Sequence, residues 1–109
     1  MSYKIKSRIW IECDEGMFLG NGRVRLLKAI DDTGSLSKAA KSIGMSYKKA
    51  WNLIDAVNNK AKETVVVRSA GGKDGGGTIV TDYGKALIKQ FEEVNAQTIA
   101  FINQLKSIE

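Results

Sequence analysis

The chain begins with a stretch in which apolar and polar residues alternate. Within Lys4–Cys13, isoleucines occupy odd positions, while charged residues and Trp10 fill the even ones. A period of two with β-branched and aromatic residues predicts a strand that has one buried face. The segment DEGMFLGNG follows and is expected to be a loop, in which Met17, Phe18 and Leu19 turn into the core.

The pattern then changes to a helical period. Apolar residues spaced for one face of a helix run through Gly22–Asp32, and Asn21 is the predicted N-cap of that helix. Gly34 is expected to end it in a left-handed conformation. Ser35 then caps a second, alanine-rich helix, which stops before Gly44. The small alanine side chains favour close packing of this helix against its neighbours.

A third helix starts only two residues after Gly44. Ser46 is its predicted N-cap, and apolar residues at helical spacing from Ala50 to Ala61 predict its buried face. Tyrosine, lysine and asparagine side chains fall on the other side. A short helix, a glycine-containing turn and a second helix with exposed polar groups are typical of a helix-turn-helix, whose second helix enters the DNA major groove. This part of the sequence therefore predicts a DNA-binding regulator.

Two short β-branched segments follow, joined by a glycine-rich loop. TVVVRS and TIV predict two strands, and AGGKDGGG between them predicts the tip of a hairpin. A hairpin directly after a helix-turn-helix is a wing. The expected fold class is therefore α+β, mainly α: a winged helix-turn-helix over residues 1–80. The loop is not a P-loop, because it lacks the G-x-x-x-x-G-K-[ST] order and leads into a strand.

The last segment reads as one long amphipathic helix that begins after Thr81. Its apolar residues recur at alternating spacings of four and three, which is the heptad pattern of a coiled coil. Such a helix is ~40 Å long, so the domain body covers only its first turns and the rest exposes an apolar stripe. We therefore expect residues 81–109 to be a dimerisation helix, antiparallel or crossed in a homodimer. The predicted dimer interface is Leu87, Phe91, Val94, Thr98, Phe101, Ile102, Leu105 and Ile108.

Composition narrows the classes of function. The 109 residues carry a net charge of +5, which favours a polyanionic partner such as double-stranded DNA. With no histidine and a single cysteine, we expect no metal site, no cofactor and no enzyme activity. No apolar run approaches the ~20 residues of a membrane span, and the N-terminus has no signal-peptide core. We therefore expect a cytoplasmic protein without a membrane partner.

The candidate DNA contacts on the third helix follow from side-chain chemistry. Lys48 can donate to guanine and Asn52 can pair with adenine. Tyr47 can reach a phosphate or a thymine methyl group, and Lys49 is placed for a backbone phosphate. Trp51 adjoins the apolar stripe, so half-burial against the wing strand is favoured over contact with a base. The alternative is a solvated face in a winged helix that binds protein.

Two further segments complete the candidate site. The start of the second helix offers N–H groups and hydroxyls to a phosphate, and the wing offers glycine backbone and positive charge. The simpler alternatives are a cap for the serine and a hairpin tip without function for the wing. The full predicted DNA-binding set is Ser35, Ser37, Ser46, Tyr47, Lys48, Lys49, Trp51, Asn52, Arg68, Gly72, Lys73 and Gly75.

Two long segments resemble a known family. GSLSKAAKSIGMSYKKAWNLIDAVN and VVVRSAGGKDGGGTIVTDYGKALI are similar to the N-terminal DNA-binding domain of the ModE family of molybdate-responsive transcriptional regulators, and more widely to the LysR-type winged helix. The resemblance covers roughly residues 20 to 105. It implies a dimer that binds a palindromic operator through the helix at Ser46–Asn59 and through the wing. It carries over Tyr47, Lys48, Trp51 and Asn52 as recognition positions, and Gly72, Lys73 and Gly75 as wing positions.

The chain departs from this family at its end. Full-length members continue into C-terminal oxyanion-binding domains that sense molybdate, whereas this sequence stops at Glu109. It is either a fragment or a stand-alone member, and the native-looking N-terminus favours the stand-alone interpretation. We assign no oxyanion site. The hypotheses are a dimeric sequence-specific regulator, a winged-helix interaction module whose long helix pairs with a separate effector-binding protein, and a nonspecific architectural DNA protein. Against the last hypothesis, the chain lacks a long basic arm and an obvious intercalating wedge.

Overall fold

The computed structural model describes residues 3–69 and 77–105. Within these ranges the chain forms two short antiparallel strand pairs and four helices. In chain order the elements are β1 (Ile11–Cys13), β2 (Gly16–Leu19), α1 (Asn21–Thr33), α2 (Leu36–Ser42), α3 (Tyr47–Lys60), β3 (Val66–Arg68), β4 (Thr78–Val80) and α4 (Asp82–Gln104). This is the expected α+β winged helix, mainly helical. No helix in the described ranges is both long and apolar enough to cross a membrane.

The N-terminal hairpin corrects two predictions. The strand expected over Lys4–Cys13 is confined to β1, and the segment expected to be a loop contains β2, which pairs with β1 from Cys13 opposite Gly16. A strand needs a partner for its backbone N–H and C=O groups, and β2 is only four residues long. The alternating pattern therefore extends beyond the hydrogen-bonded strand. Phe18 is buried as predicted, but Met17 is 42% exposed.

The boundaries of the first two helices follow from local chemistry. Gly34 ends α1 at φ 67°, and its N–H donates to the Ile30 carbonyl at 2.8 Å. The Ser35 hydroxyl then caps α2 by accepting the backbone N–H of Lys38 at 3.2 Å. The start of α1 differs from the prediction, since Gly20 takes the N-cap position without a side-chain cap and Asn21 is the first helical residue.

The core lies where the helices meet the inner faces of the two hairpins. Ala39 and Ala40 of α2 and Ala50 of α3 are at most 1% exposed, which lets these helices cross at short distance. The remaining buried apolar residues come from β2, from α1, α2 and α3, from the wing strands and the residue before β3, and from the start of α4. They are Phe18, Leu19, Val24, Leu26, Leu27, Ile30, Leu36, Ile54, Val57, Val65, Val66, Val80, Ile88 and Phe91.

Backbone hydrogen bonds hold the wing strands to the helices. β3 and β4 pair antiparallel, with Val66 opposite Val80. The Thr78 N–H donates to the Gly34 carbonyl at 3.0 Å, which joins β4 to the end of α1. The Thr81 N–H donates to the Val65 carbonyl at 2.9 Å, immediately before α4 begins. The base of the wing is therefore fixed to α1 and to the start of α4.

The long helix α4 packs on the domain only along its first turns. The Thr81 hydroxyl accepts the Gly84 N–H at 3.0 Å and caps the helix, as the sequence predicts. Ile88 and Phe91 are buried in the core. Beyond them Glu92 accepts a hydrogen bond from the Lys28 ammonium at 2.7 Å, and this ion pair raises the pKa of Lys28. The apolar residues that follow are largely exposed.

Candidate DNA-binding surface

The turn between α2 and α3 sets the direction of the second helix. Gly44 has φ 68°, a left-handed conformation that side chains disfavour. The N–H of Met45 donates to the Ala40 carbonyl at 2.9 Å and closes the end of α2. The Ser46 hydroxyl accepts the N–H of Lys49 at 3.1 Å and opens α3. Two helices joined through so short a turn form the helix-turn-helix that the sequence predicts.

The N-terminal half of α3 is divided sharply between core and solvent. Ala50 is fully buried and Ile54 is 5% exposed, whereas Tyr47 is 54% exposed on the outer side. The neighbouring polar side chains Lys48, Lys49 and Asn52 are exposed as well. The helix therefore presents to solvent a row of hydrogen-bond donors and acceptors that take no part in the core.

Trp51 connects this helix to the wing. Its side chain is 39% exposed, and the Arg68 guanidinium of β3 lies over its ring, 5.1 Å from the centroid. This is the position beside the wing strand that the sequence favours for Trp51. A guanidinium held over an aromatic face by a cation–π contact keeps N–H donors for other partners. Arg68 is thereby held next to the exposed face of α3.

The other candidate residues divide between the start of α2 and the wing tip. Ser35 acts as a helix cap, which is the simpler of its two interpretations, and Ser37 is exposed in the first turn of α2. Ser46 likewise caps α3. The wing-tip candidates lie outside the described residues; they are Gly72, Lys73 and Gly75.

Asn58 is not among the residues predicted for this surface. The residue lies in the last turn of α3, and its side-chain amide hydrogen-bonds to the backbone where β3 begins. A lone asparagine near a helix end has no sequence pattern that distinguishes it from a solvated one, and the partner strand lies beyond a connecting loop. Only the folded structure identifies the contact.

The family of the chain follows from a match that spans this surface. Residues 22–85 match the bacterial regulatory helix-turn-helix proteins of the lysR family. The chain belongs to this family. The matched residues cover the three helices, both wing strands and the beginning of α4. They form the DNA-binding domain of a transcriptional regulator, and the proteins of this family are regulators rather than enzymes.

Individual curated relatives show which members of the family the chain is similar to. The chain is 41% identical to the molybdenum transport protein ModE of Azotobacter vinelandii over 99 residues, which are 91% of this chain and 37% of that protein. It is 39% identical to the DNA-binding transcriptional dual regulator ModE of Escherichia coli (strain K12) over 82 residues, 75% of this chain and 31% of the relative.

A third relative has a different name. The molybdenum-pterin-binding protein MopB of Rhodobacter capsulatus is 44% identical over 81 residues, 74% of this chain and 30% of that protein. The chain thus spans about a third of the length of the curated relatives it matches. The similarity is to a ModE-like DNA-binding domain, which agrees with the resemblance seen in the sequence.

Proposed function

We propose that the chain is a sequence-specific transcriptional regulator that binds a palindromic operator as a homodimer. The recognition helix, residues 46–59, enters the major groove, and the wing, residues 70–77, lies on the flanking backbone. The observation that carries this proposal is the exposed polar face of α3, on which Tyr47 is 54% exposed while Ala50 behind it is fully buried. The regulator acts in the cytoplasm, where the DNA of a bacterium lies.

In the proposed complex, the exposed residues of this surface divide into those that contact bases and those that contact phosphates. Lys48 and Asn52 read base edges, because their donors and acceptors match guanine and adenine in the major groove. Lys49 and Arg68 neutralise phosphates and fix the orientation of the domain without reading sequence. Trp51 supports Arg68 through the cation–π contact. Direct readout therefore belongs to α3, and the wing strand adds affinity for any duplex.

The outer part of α4 supports the homodimer. Val94, Phe101 and Leu105 are 50%, 62% and 50% exposed, and their heptad spacing places them along one face. Thr98 and Ile102 are partly buried between them. An apolar stripe of this kind is unfavourable in water until a second surface covers it. A second copy of the chain supplies a matching stripe.

The inner part of the predicted interface has a different environment. Phe91 is 2% exposed and lies in the core of its own chain, and Leu87 packs against that core. Both side chains support the fold, so the proposed contact between copies begins at Val94. Ile108 lies outside the described residues.

The N-terminal segment adds to the same exposed surface. Tyr3 and Ile5, which are 55% and 41% exposed, lie beside the outer turns of α4. With Ile99, Ile102 and Leu105 they line an open groove of about 570 Å³. The apolar surface available to a second copy is therefore wider than the heptad stripe alone.

A winged-helix interaction module is the second candidate, because the same exposed face also suits an apolar helix of a separate effector-sensing protein. Measuring the molar mass of the purified chain separates the two. A stable dimer supports the homodimeric regulator. A monomer at concentrations well above those that saturate DNA overturns it in favour of the module.

The decisive test of DNA function is selection of genomic fragments by the purified protein, followed by sequencing of what is retained. A palindromic consensus with half-sites about one helical turn apart, or a small multiple of it, is the expected result. Several relatives carry molybdenum in their names, so fragments next to genes for molybdenum uptake are the first to inspect. Uniform, salt-sensitive retention of all fragments contradicts sequence-specific binding.

A further inference from the structure

Asn58 joins the recognition helix to the wing through three hydrogen bonds. Its Oδ1 accepts the backbone N–H of Val65 at 2.9 Å and that of Val66 at 3.1 Å. Its Nδ2 donates to the Val66 carbonyl at 3.0 Å. Val66 is the first residue of β3 and pairs with Val80 of β4. One side chain of α3 therefore holds both backbone polar groups of the residue from which the wing extends.

The chemistry of this contact selects asparagine. The carbonyl oxygen of the amide faces two N–H donors, and its NH₂ group faces a carbonyl acceptor, so only one orientation satisfies all three. Aspartate retains the two acceptor contacts but places a negative charge against the Val66 carbonyl. Alanine removes all three bonds and leaves polar backbone groups of the buried Val65 and Val66 without these partners.

A second contact lies on the same side of α3. Trp51 precedes Asn58 by seven residues, which is close to two full turns, so the two side chains share one face about 10 Å apart along the axis. Trp51 contacts Arg68, the last residue of β3, and Asn58 holds the first. Contacts at both ends of β3 fix its angle to α3 as well as its distance from α3. A contact at one end would fix only the distance.

We infer that Asn58 is a positioning residue, which sets the wing at a fixed angle to the recognition helix so that both reach one duplex together. The inference rests on the proposed mode of DNA binding. A wing held in place before binding loses little conformational freedom when it meets DNA, and binding is correspondingly tighter. Asn58 does not itself contact the nucleic acid; it acts through Arg68 and the hairpin that β3 begins.

The first arm of the test uses the protein without DNA. Amide hydrogen exchange is measured for the wild type, Asn58→Ala and Asn58→Asp. We expect the exchange of the Val65 and Val66 amides to rise about tenfold in Asn58→Ala, while amides of α1 change far less. Asn58→Asp, which keeps the acceptor contacts, should lie between the two. An equal rise throughout the domain would show a general loss of stability and overturn the positioning role.

The second arm measures affinity for a mixed-sequence DNA duplex over a range of salt concentrations. Asn58→Ala should weaken binding and flatten the salt dependence in the same way as Arg68→Ala. The double variant should bind about as well as either single variant, because both changes remove the same wing contact. Asn21→Ala is the matched control, since Asn21 is exposed in the first turn of α1, outside the recognition helix and the wing. It should leave both quantities unchanged.

The two arms separate the positioning role from the proposed function. If the wild type fails to bind any duplex, the proposed function falls, and the exchange measurement alone still decides whether Asn58 anchors the wing. If the wild type binds DNA, either of two results shows that the inference is wrong. The first is that the losses of binding free energy in Asn58→Ala and Arg68→Ala add in the double variant. The second is that Asn58→Ala binds DNA like the wild type at a temperature where it is folded.

Discussion

A side chain on Gly84 would meet the backbone of Val65, since an ideal Cβ would lie 2.7 Å from the Val65 carbonyl oxygen. The same atom would lie 2.8 Å from Cγ1 of Val80. The first turn of α4 is therefore in direct contact with the base of both wing strands. This approach places the long helix and the wing in one rigid arrangement around a position that only glycine fits.

Gly84→Ala should destabilise the domain by about 1–3 kcal/mol, because the new methyl group overpacks against backbone that has no room to move. Equilibrium unfolding in urea measures the change. Gly22→Ala is the matched control, since Gly22 lies in the first turn of α1 with nothing within 4 Å of the added Cβ. That control should be neutral or stabilising by up to about 1 kcal/mol. Equal effects of the two substitutions would contradict the contact.

The parts of the fold that the sequence predicted correctly depend on neighbours in the chain. Ser35, Ser46 and Thr81 all cap the helices they were expected to open. Gly34 ends α1 as expected. Caps and left-handed glycines act within one helical turn, so their signal lies in a few consecutive residues. The helix-turn-helix and the wing strands could therefore be predicted with their order and most of their bounds.

The parts that were missed depend on contacts between distant segments. Arg23 donates to the carbonyls of Met17 at 2.9 Å and Phe18 at 3.1 Å, and this tie between α1 and β2 has no signature in the sequence. The heptad pattern likewise ran through Phe91 without indicating that this residue belongs to the core of its own chain. A periodic pattern shows which face is apolar but not what covers it.

Ser46→Ala should lower the free energy of unfolding by about 1 kcal/mol, because the Lys49 N–H loses the hydroxyl that caps α3. Thermal or urea unfolding checks this. Ser46→Asp should retain most of the stability, since a carboxylate accepts the same bond and suits a helix N-terminus. Ser37→Ala, an exposed serine in the first turn of α2, should change stability little. A loss in Ser37→Ala as large as in Ser46→Ala would argue against the cap.

The side chains of α3 and β3 should affect DNA binding in different ways. Lys48→Ala or Asn52→Ala should reduce discrimination at one base position by about 1–3 kcal/mol, whereas Arg68→Ala should weaken binding to all sequences and lower the salt slope by about 1. Titrations of operator and of single-base variants at several salt concentrations measure both quantities. If the three substitutions behave alike, the proposed division between base and phosphate contacts is wrong.

The ion pair between Lys28 and Glu92 should make the stability of the fold fall as the pH becomes alkaline. The hydrogen bond to Glu92 and its charge raise the pKa of Lys28. A raised pKa means that the pair stabilises the fold fully below the ordinary lysine pKa and loses this contribution as pH rises through the raised value. Lys28→Met should remove that part of the alkaline decline in melting temperature. Lys48→Met, which replaces another exposed lysine, should leave that decline unchanged. Identical pH profiles of the melting temperature for both variants would contradict a stabilising contribution from the ion pair.

Phe101→Glu should convert the proposed dimer to a monomer without unfolding the domain. The side chain is 62% exposed in the single chain, so its removal costs the core nothing, while a charge within the stripe opposes burial against a second copy. Ala100→Glu is the matched control, because Ala100 is exposed and lies about 100° around the helix on the side away from the stripe. Sedimentation should show one chain for Phe101→Glu and two for Ala100→Glu. The monomer should also bind a full palindrome no more tightly than a single half-site, and a Phe101→Glu chain that stays dimeric would show that this face of α4 does not hold the copies together.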